Sequence, residues 1–288
     1  MSRVSIENPH RNCPGPRCSP SQARISRVRS RGMDSSPSPF FTLSWATWAA
    51  VSYTHLDVYK RQALMKGNYF GTMLVKMGVA DCLLGGATYS TADTVRPALQ
   101  LIKTKPENKI VSSCFIMVRE GVGDNTVLAM GDCAINIDPT EDELVEIGLE
   151  CAKCAKTFGI DPKVAYLSYS TKGSGKGDTV DKMRNACAKA KAAAPDLAID
   201  GEMQFDAAVS PTVGQLKFPG SPVAGYANTF IFPNINAGNI GYKIAQRLGG
   251  FDAYGPILLG LNAPINDLSR GCNAQEVYSM AIITAALA

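Results

Sequence analysis

Residues 255–278 read GPILLGLNAPINDLSRGCNAQEVY, and they join two apolar segments through a polar loop. The run 255–261 has Gly and Pro at its edges, which is typical of a buried strand. Residues 277–287 are apolar and Ala-rich, as in a helix that covers such a strand. The loop between them is therefore predicted at a strand's carboxyl end and a helix's amino end, where α/β folds keep ligand sites and free N–H groups favour anions. Ser269 and Arg270 stand at this point.

From Ala63 onward, helix and strand signals alternate, which predicts an α/β fold. Helical patterns cover 70–77 and 94–104, a segment that starts within 138–143 and ends at Phe158, a segment that ends at Ala194, and one that begins after Asn239. Apolar runs predict strands at 79–84, 110–118, 127–137, 164–169, 197–199, 229–232 and 257–261. A Gly-rich turn at 121–125 suits an antiparallel pair, so we expect a mixed sheet. Thr140 and Glu143 have capping-box spacing.

Residues 1–62 differ in composition from the rest of the chain. They hold nine Lys and Arg against three Asp and Glu, a net charge of +6, so residues 63–288 carry −2. Bulk charge therefore gives no reason to expect nucleic-acid binding. Residues 51–62 can be encoded by an almost perfect inverted repeat, like two joined sequencing adapters. We predict that 1–62 is a non-native or irregular segment, with a targeting peptide as the alternative, and that 63–288 is the functional domain.

Both His and both Trp of the chain fall within 1–62. Residues 63–288 must therefore work without imidazole, which excludes Ser-His-Asp and Cys-His catalysis and His-based metal sites there. The nine Cys show no disulfide framework, which favours a reducing compartment. Cys151 and Cys154 lack a second pair and fall in a helical pattern, so we predict no metal. The apolar stretch 40–51 is too short to span a bilayer, so we predict no membrane segment.

Several segments, taken in chain order, carry a family resemblance. They are YFGTMLV at 69–75, STADTVRPALQ at 90–100, DCAINI at 132–137, STKGS at 170–174, DGEMQFDA at 200–207, AGNIGYKIAQRL at 237–248 and NDLSRGCNA at 266–274. From about Asn68 to the C-terminus the chain resembles the phosphate acetyltransferases of the phosphate acetyl/butyryltransferase family.

The resemblance implies an acyltransferase that interconverts acetyl-CoA and phosphate with CoA and acetyl phosphate by direct attack of the thiolate. It implies a three-layer α/β/α fold with a mixed sheet, in a two-domain architecture like that of isocitrate and isopropylmalate dehydrogenases. Coenzyme A would be a substrate, no metal would be needed, and the protein would be a cytoplasmic homodimer without nucleic-acid or membrane partners. We further expect the chain to be N-terminally truncated, with an incomplete first domain, and so a poor enzyme.

The resemblance also implies roles for individual residues of the 264–278 loop. The transfer needs positive charge on the departing phosphate and a donor toward the carbonyl oxygen, and Arg270 with the helix N-terminus would supply both. Ser269 would orient the thiol or donate to the substrate. Glu276 stands where the family typically has an Asp that takes the thiol proton, but its spacing from Asn273 equally fits a capping box. Cys272 is expected near the CoA pocket, and a covalent role lacks a His to activate it.

Each of the other candidate residues has two interpretations. A predicted helix begins just beyond a strand at Ser90, Thr91 and Arg96, and these residues would form either a phosphate clamp or only a capped helix with a surface Arg. Arg247 would contact CoA or phosphate, or would only complement the helix dipole.

The loop 173–177 resembles a phosphate cradle, but Gly177 and Ser170 stand where a nucleotide-triphosphate motif needs Ser or Thr and Gly. Gly173 and Ser174 therefore line the CoA cleft or form a flexible turn.

Two alternative functions accompany this prediction. A phosphate butyryltransferase would differ only in the shape of its acyl pocket. A regulatory domain that senses acetyl-CoA, of the type fused behind malic enzymes, belongs to a different class. The presence of Ser269 and Arg270 favours an enzyme.

Overall fold

The computed structural model describes residues 56–121 and 127–288. Its helices are α1 Leu56–Leu64, α2 Gly67–Lys76, α3 Thr91–Pro97 with a π-helical turn Ala98–Ile102, α4 Glu141–Thr157, α5 Asp178–Ala193, α6 Phe205–Val209, α7 Pro211–Lys217, α8 Ile235–Arg247 and α9 Ala274–Ala286. Its strands are β1 Leu83–Leu84, β2 Ser112–Val118, β3 Val127–Gly131, β4 Lys163–Leu167, β5 Ala198–Met203, β6 Thr229–Ile231, β7 Asp252–Leu259 and β8 Ile265–Asn266.

Six of these strands form one sheet in the order β5-β4-β6-β3-β2-β7. The pairs β5–β4, β4–β6 and β6–β3 are parallel, whereas β2 is antiparallel to both β3 and β7. Only β2 therefore runs against the other five strands. The predicted mixed sheet and the predicted antiparallel pair are confirmed.

Side chains of β2 alternate between the two faces of the sheet, as the strand period requires. Cys114 and Ile116 enter a core that includes Leu144 of α4 and Met183 of α5. On the other face, Phe115 and Met117 join a core with residues of α6 and α8. Helices cover both faces, so the chain forms three α/β/α layers.

A smaller unit holds β1 and β8, which pair in parallel as a two-stranded sheet. Its core includes Val75 of α2, Ile102, Leu258 and Ile265. A Schellman motif ends α2, because Gly78 has a φ of +69° and the N–H of Val79 donates to the carbonyl of Leu74. The likeness to isocitrate dehydrogenase in domain arrangement stays a prediction.

Two strands are shorter than predicted, and in each case side-chain or backbone hydrogen bonds end them. Residues 79–82 are not extended, because the Schellman motif continues into Val79. The strand predicted at 127–137 stops at Gly131, because the buried Asp132 carboxylate accepts N–H groups from Ala134 and Asn136 and folds the chain into a turn.

Helices α2, α3, α8 and α9 each begin three to five residues before their predicted starts. Helix α8 begins at Ile235, before the predicted start after Asn239, since the Asn234 side chain caps it by accepting from the N–H of Ala237. Helix α1 crosses the predicted boundary at residue 62, although irregular structure was expected up to that residue. Residues 56–64 contain no Gly or Pro, so no helix-breaking residue interrupts them. The rest of the 1–62 prediction lies outside the described residues.

The capping box at Thr140 and Glu143 is confirmed, with both reciprocal hydrogen bonds present. Across the described ranges, no helix is long and apolar enough to cross a membrane.

Candidate active site

The parallel pairing of β1 with β8 brings two strand-to-helix turns together. Backbone N–H groups of Leu83, Gly85 and Ala87 donate to the carbonyls of Pro264, Asn266 and Leu268, at 2.9–3.0 Å. The approach is so close that a Cβ on Gly86 would lie 2.4 Å from the backbone N and O of Leu268. Because Gly86 also has a φ of +91°, only glycine suits this position. Helix α3 follows β1 and helix α9 follows β8, so both helices begin beyond the same edge of this two-stranded sheet.

Helix α3 begins with a capping box between Ser90 and Asp93, in which the Ser90 side chain donates to Asp93 Oδ2 at 2.7 Å. These hydrogen bonds hold the pKa of Asp93 below its ordinary value, with a smaller contribution from the charge of Arg96. The buried hydroxyl of Thr94 donates to Asp267 Oδ1 at 2.6 Å, and this bond ties α3 to the segment just before Ser269.

Helix α9 begins with a second capping box. Asn273 Oδ1 accepts from the N–H of Glu276 at 2.9 Å, and Glu276 Oε2 accepts from the N–H of Asn273 at 3.3 Å. Gln246 of α8 donates to the other carboxylate oxygen at 3.4 Å. The capping interpretation of Glu276 is therefore confirmed, and the same carboxylate also links α8 to α9.

A cavity of about 110 Å³ opens between the start of α9 and the C-terminal part of α8. Its polar wall holds Ser269, Gly271, Cys272 and Glu276, and its far side holds Lys243, Gln246 and Arg247. Its apolar lining consists of Phe115, Tyr242, Ala253, Gly255, Leu268 and Met280. A space with cations, a carboxylate and a helix N-terminus on an apolar floor suits a small anionic ligand.

The structure brings together four of the residues predicted from the sequence, namely Arg247, Ser269, Cys272 and Glu276. Arg270 lies between two lining residues but is exposed and is not itself part of the lining. Ser90, Thr91 and Arg96 lie on the neighbouring β1–α3 unit, with Arg96 exposed.

Gly173 and Ser174 lie elsewhere, in the loop between β4 and α5. Three strands separate β4 from β7 in the sheet, which is roughly 20 Å at ordinary strand spacing. Two of the loop's N–H groups are already used, since Gly173 donates to the buried Glu202 at 2.7 Å and Gly175 to Ser170 Oγ at 2.9 Å.

Glu202 anchors that loop to the sheet. Burial alone would raise the pKa of Glu202, but hydrogen bonds from Arg184, Gly173 and Ser170 outweigh burial and lower the pKa below its ordinary value. The Arg184 Nε donates to Glu202 Oε2 at 3.1 Å. These contacts explain the polar character of the loop without a ligand.

Within the described ranges there is no group of three or more His, Cys, Asp or Glu that could hold a metal ion. The seven cysteines described there are free thiols.

Sequence reasoning missed Tyr242, Gln246 and Asp267, although all three lie in the motifs quoted above. For Tyr242 and Gln246 a signal was available, because residues four apart on a helix share one face.

Known proteins resemble this chain over most of its length. The family model described as "Phosphate acetyl/butaryl transferase" matches residues 46–285. The chain belongs to this family. The match begins inside the segment 1–62, and the proposed boundary at residue 62 stays a prediction. The Bacillus subtilis phosphate acetyltransferase is 58% identical over 228 residues, which cover 79% of this chain and 69% of the relative.

Two solved structures share the fold of this chain. A phosphotransacetylase from Streptococcus pyogenes has a TM-score of 0.73 and 61% identity, over 76% of this chain and 66% of that one. A branched-chain phosphotransacylase from Enterococcus faecalis V583 has a TM-score of 0.63 and 24% identity, over 76% and 78% of the two chains, which shows the fold alone. The chain thus spans slightly less than two thirds of the S. pyogenes protein.

The capping role of Glu276 and its expected role as a base can be separated by substitution. Glu276→Gln keeps an oxygen for the N–H of Asn273 but removes the expected base, so we expect turnover to fall on the order of 10²-fold. The free energy of unfolding should change by less than about 0.5 kcal/mol. Steady-state kinetics and urea unfolding measure the two quantities. Asn273→Ala is the matched control, since it should cost about 1 kcal/mol of stability while the carboxylate stays. Wild-type turnover in Glu276→Gln would leave capping as its only role.

Proposed function

We propose that this chain catalyses acetyl-CoA + phosphate ⇌ CoA + acetyl phosphate. The observation that carries the proposal is the cavity at the start of α9, where Arg247, Ser269 and Glu276 meet. The 58% identity to a protein named phosphate acetyltransferase supports this choice of reaction. Neither butyryl transfer nor acetyl-CoA sensing has a comparable observation in its favour.

Each residue has a defined task in this proposal. Glu276 takes the thiol proton of CoA. A thiol with a pKa of ~8.5 needs only modest help from a nearby carboxylate to lose its proton. The thiolate attacks the carbonyl carbon of acetyl phosphate, and phosphate leaves with the electron pair of the broken C–O bond. Arg270, Arg247 and Arg96 supply positive charge for that phosphate. Ser269 orients the thiol at the helix N-terminus.

Cys272 lines the cavity but is not needed as an acyl carrier. Its N–H donates to the carbonyl of Ser269 at 3.1 Å, so its backbone helps to shape the loop. We therefore propose that Cys272 borders the CoA thiol and that transfer is direct. Acetylation of Cys272, detected by mass spectrometry after incubation with acetyl phosphate, would contradict direct transfer.

The remaining assignments belong to the same proposal. CoA acts as a substrate, and the reaction proceeds without a metal because the arginines supply the charge. The free thiols of the described residues suit a reducing, cytoplasmic location. The place of Gly173 and Ser174 in the CoA cleft stays a prediction.

The Arg270 assignment is testable by kinetics. Arg270→Ala should reduce turnover on the order of 10²-fold or more, because it removes a charge that stabilises the transition state. Arg270→Lys should recover part of this loss, since Lys lacks the planar fork of donors. The measurement is CoA-dependent release of phosphate from acetyl phosphate. Lys153→Ala, a surface cation on α4, is the control and should match the wild type. Near-normal turnover in Arg270→Ala would remove this residue from the site.

We also propose that the chain forms a homodimer through the outer face of α8. Ile240, Ile244 and Leu248 recur every four residues and are 58%, 54% and 85% exposed. Residues four apart lie on one helix face, so the three form a continuous apolar stripe. Such a stripe is typical of an interface.

The double variant Ile244→Glu, Leu248→Glu should convert the dimer to monomer, because charges in an apolar interface lose their hydration without gaining partners. Sedimentation velocity measures the change. Leu216→Glu is the control, since Leu216 is 80% exposed but lies on α7, away from the stripe. An unchanged dimer in the double variant would place the interface elsewhere.

A further inference from the structure

Tyr242 is the aromatic residue that α8 contributes to the lining of the cavity. Its ring stacks on Phe115, with centroids 4.1 Å apart and an interplanar angle of 17°. The side chain is only 8% exposed, yet it lines the cavity together with Phe115. Stacking and burial fix the direction of the phenol, so its oxygen has a defined position.

The hydroxyl of Tyr242 has no hydrogen-bond partner among the described residues. In the described part of the chain, two fully buried side-chain atoms lack a hydrogen-bond partner, namely Asn108 Oδ1 and Arg119 Nε. The Tyr242 oxygen also lacks a partner but is not fully buried, so it is accessible. Tyr242 is one of the residues that line the cavity. A phenol O–H that is accessible and has no partner in the protein is free to donate to a bound ligand.

Burial raises the pKa of Tyr242 to about 12, and the charges of Arg247 and Glu276 act on the phenol in opposite directions. The phenol therefore keeps its proton at neutral pH. A neutral O–H is a donor, which an ionised phenolate would not be.

Several other donors around the cavity are already engaged. The N–H of Gly271 donates to Ser269 Oγ at 3.2 Å, and the N–H of Glu276 donates to Asn273. Gln246 donates to Glu276. The arginine and lysine side chains there are suited to phosphate, and the proposed function assigns the Ser269 hydroxyl to the thiol, so Tyr242 offers a neutral donor for the acyl group.

We propose that Tyr242 is a further catalytic residue, whose phenol O–H donates to the carbonyl oxygen of the acyl group. This inference rests on the proposed acyl transfer. As the thiolate forms the C–S bond, the carbonyl electron pair moves to oxygen, and the Tyr242 O–H stabilises that oxyanion. The carbonyl then reforms as the C–O bond to phosphate breaks. CoA-SH and acetyl phosphate thus give acetyl-CoA and hydrogen phosphate, and Tyr242 keeps its proton throughout.

Tyr242→Phe tests the proposal because phenylalanine retains the stacking on Phe115 and removes only the O–H. We expect turnover to fall on the order of 10²-fold, the usual effect of losing one oxyanion donor. The KM for CoA should stay within about twofold, because the lost interaction forms mainly in the transition state. The thioester carbonyl stretch of bound 1-¹³C-acetyl-CoA, measured by infrared difference spectroscopy, should lie at higher frequency in the variant than in the wild type.

Tyr254→Phe is the matched control, since Tyr254 lies on the adjacent β7 strand and does not line the cavity. It should change neither readout. Equal turnover and an unshifted carbonyl band in Tyr242→Phe would overturn the role of Tyr242 while leaving the reaction in place. A wild-type chain that neither binds acetyl-CoA nor transfers the acetyl group would overturn the proposed function as well. The infrared readout needs only binding, so it does not depend on a high turnover.

Discussion

The candidate site depends on the backbone ladder between β1 and β8. Each strand has only two residues, but the hydrogen bonds continue to Ala87 and Leu268, one residue before Ser269. The close contact at Gly86 permits this continuation, because any side chain there would collide with the Leu268 backbone. A parallel pair places the ends of both strands at the same edge, so the helices that follow begin side by side. The ladder therefore aligns two helix N-termini that are far apart in sequence.

Both N-termini carry an acidic residue that completes a capping box. Asp93 serves α3 and Glu276 serves α9, so each carboxylate satisfies backbone N–H groups that would otherwise be free. These two negative charges offset part of the positive potential of the helix ends. In the proposed reaction, the exposed Arg96 and Arg270 supply positive charge for a phosphate group. In this arrangement structural capping and the proposed proton transfer use the same Glu276 side chain.

Local patterns predicted much of this molecule. The capping box at Thr140, the α/β alternation and the loop at Ser269 follow from short-range residue preferences, and each is present. The end of β3 at Asp132 was not predicted, because a buried carboxylate that collects N–H groups has no periodic signal. The stacking of Tyr242 on Phe115 was not predicted for a similar reason, since the two residues lie far apart in the sequence. Long-range contacts of this kind are visible only in the folded chain.

The central claim is that the β1–β8 contact assembles the site, and a matched pair of glycine variants tests it most directly. Gly86→Ala and Gly78→Ala both place a side chain at positive φ, but only Gly86→Ala creates a backbone clash. Isothermal titration with acetyl-CoA should show at least about tenfold weaker binding for Gly86→Ala, a loss of about 1.4 kcal/mol. Gly78→Ala should bind like the wild type. Equal affinity in both variants would contradict the account, because the site would then form without the ladder.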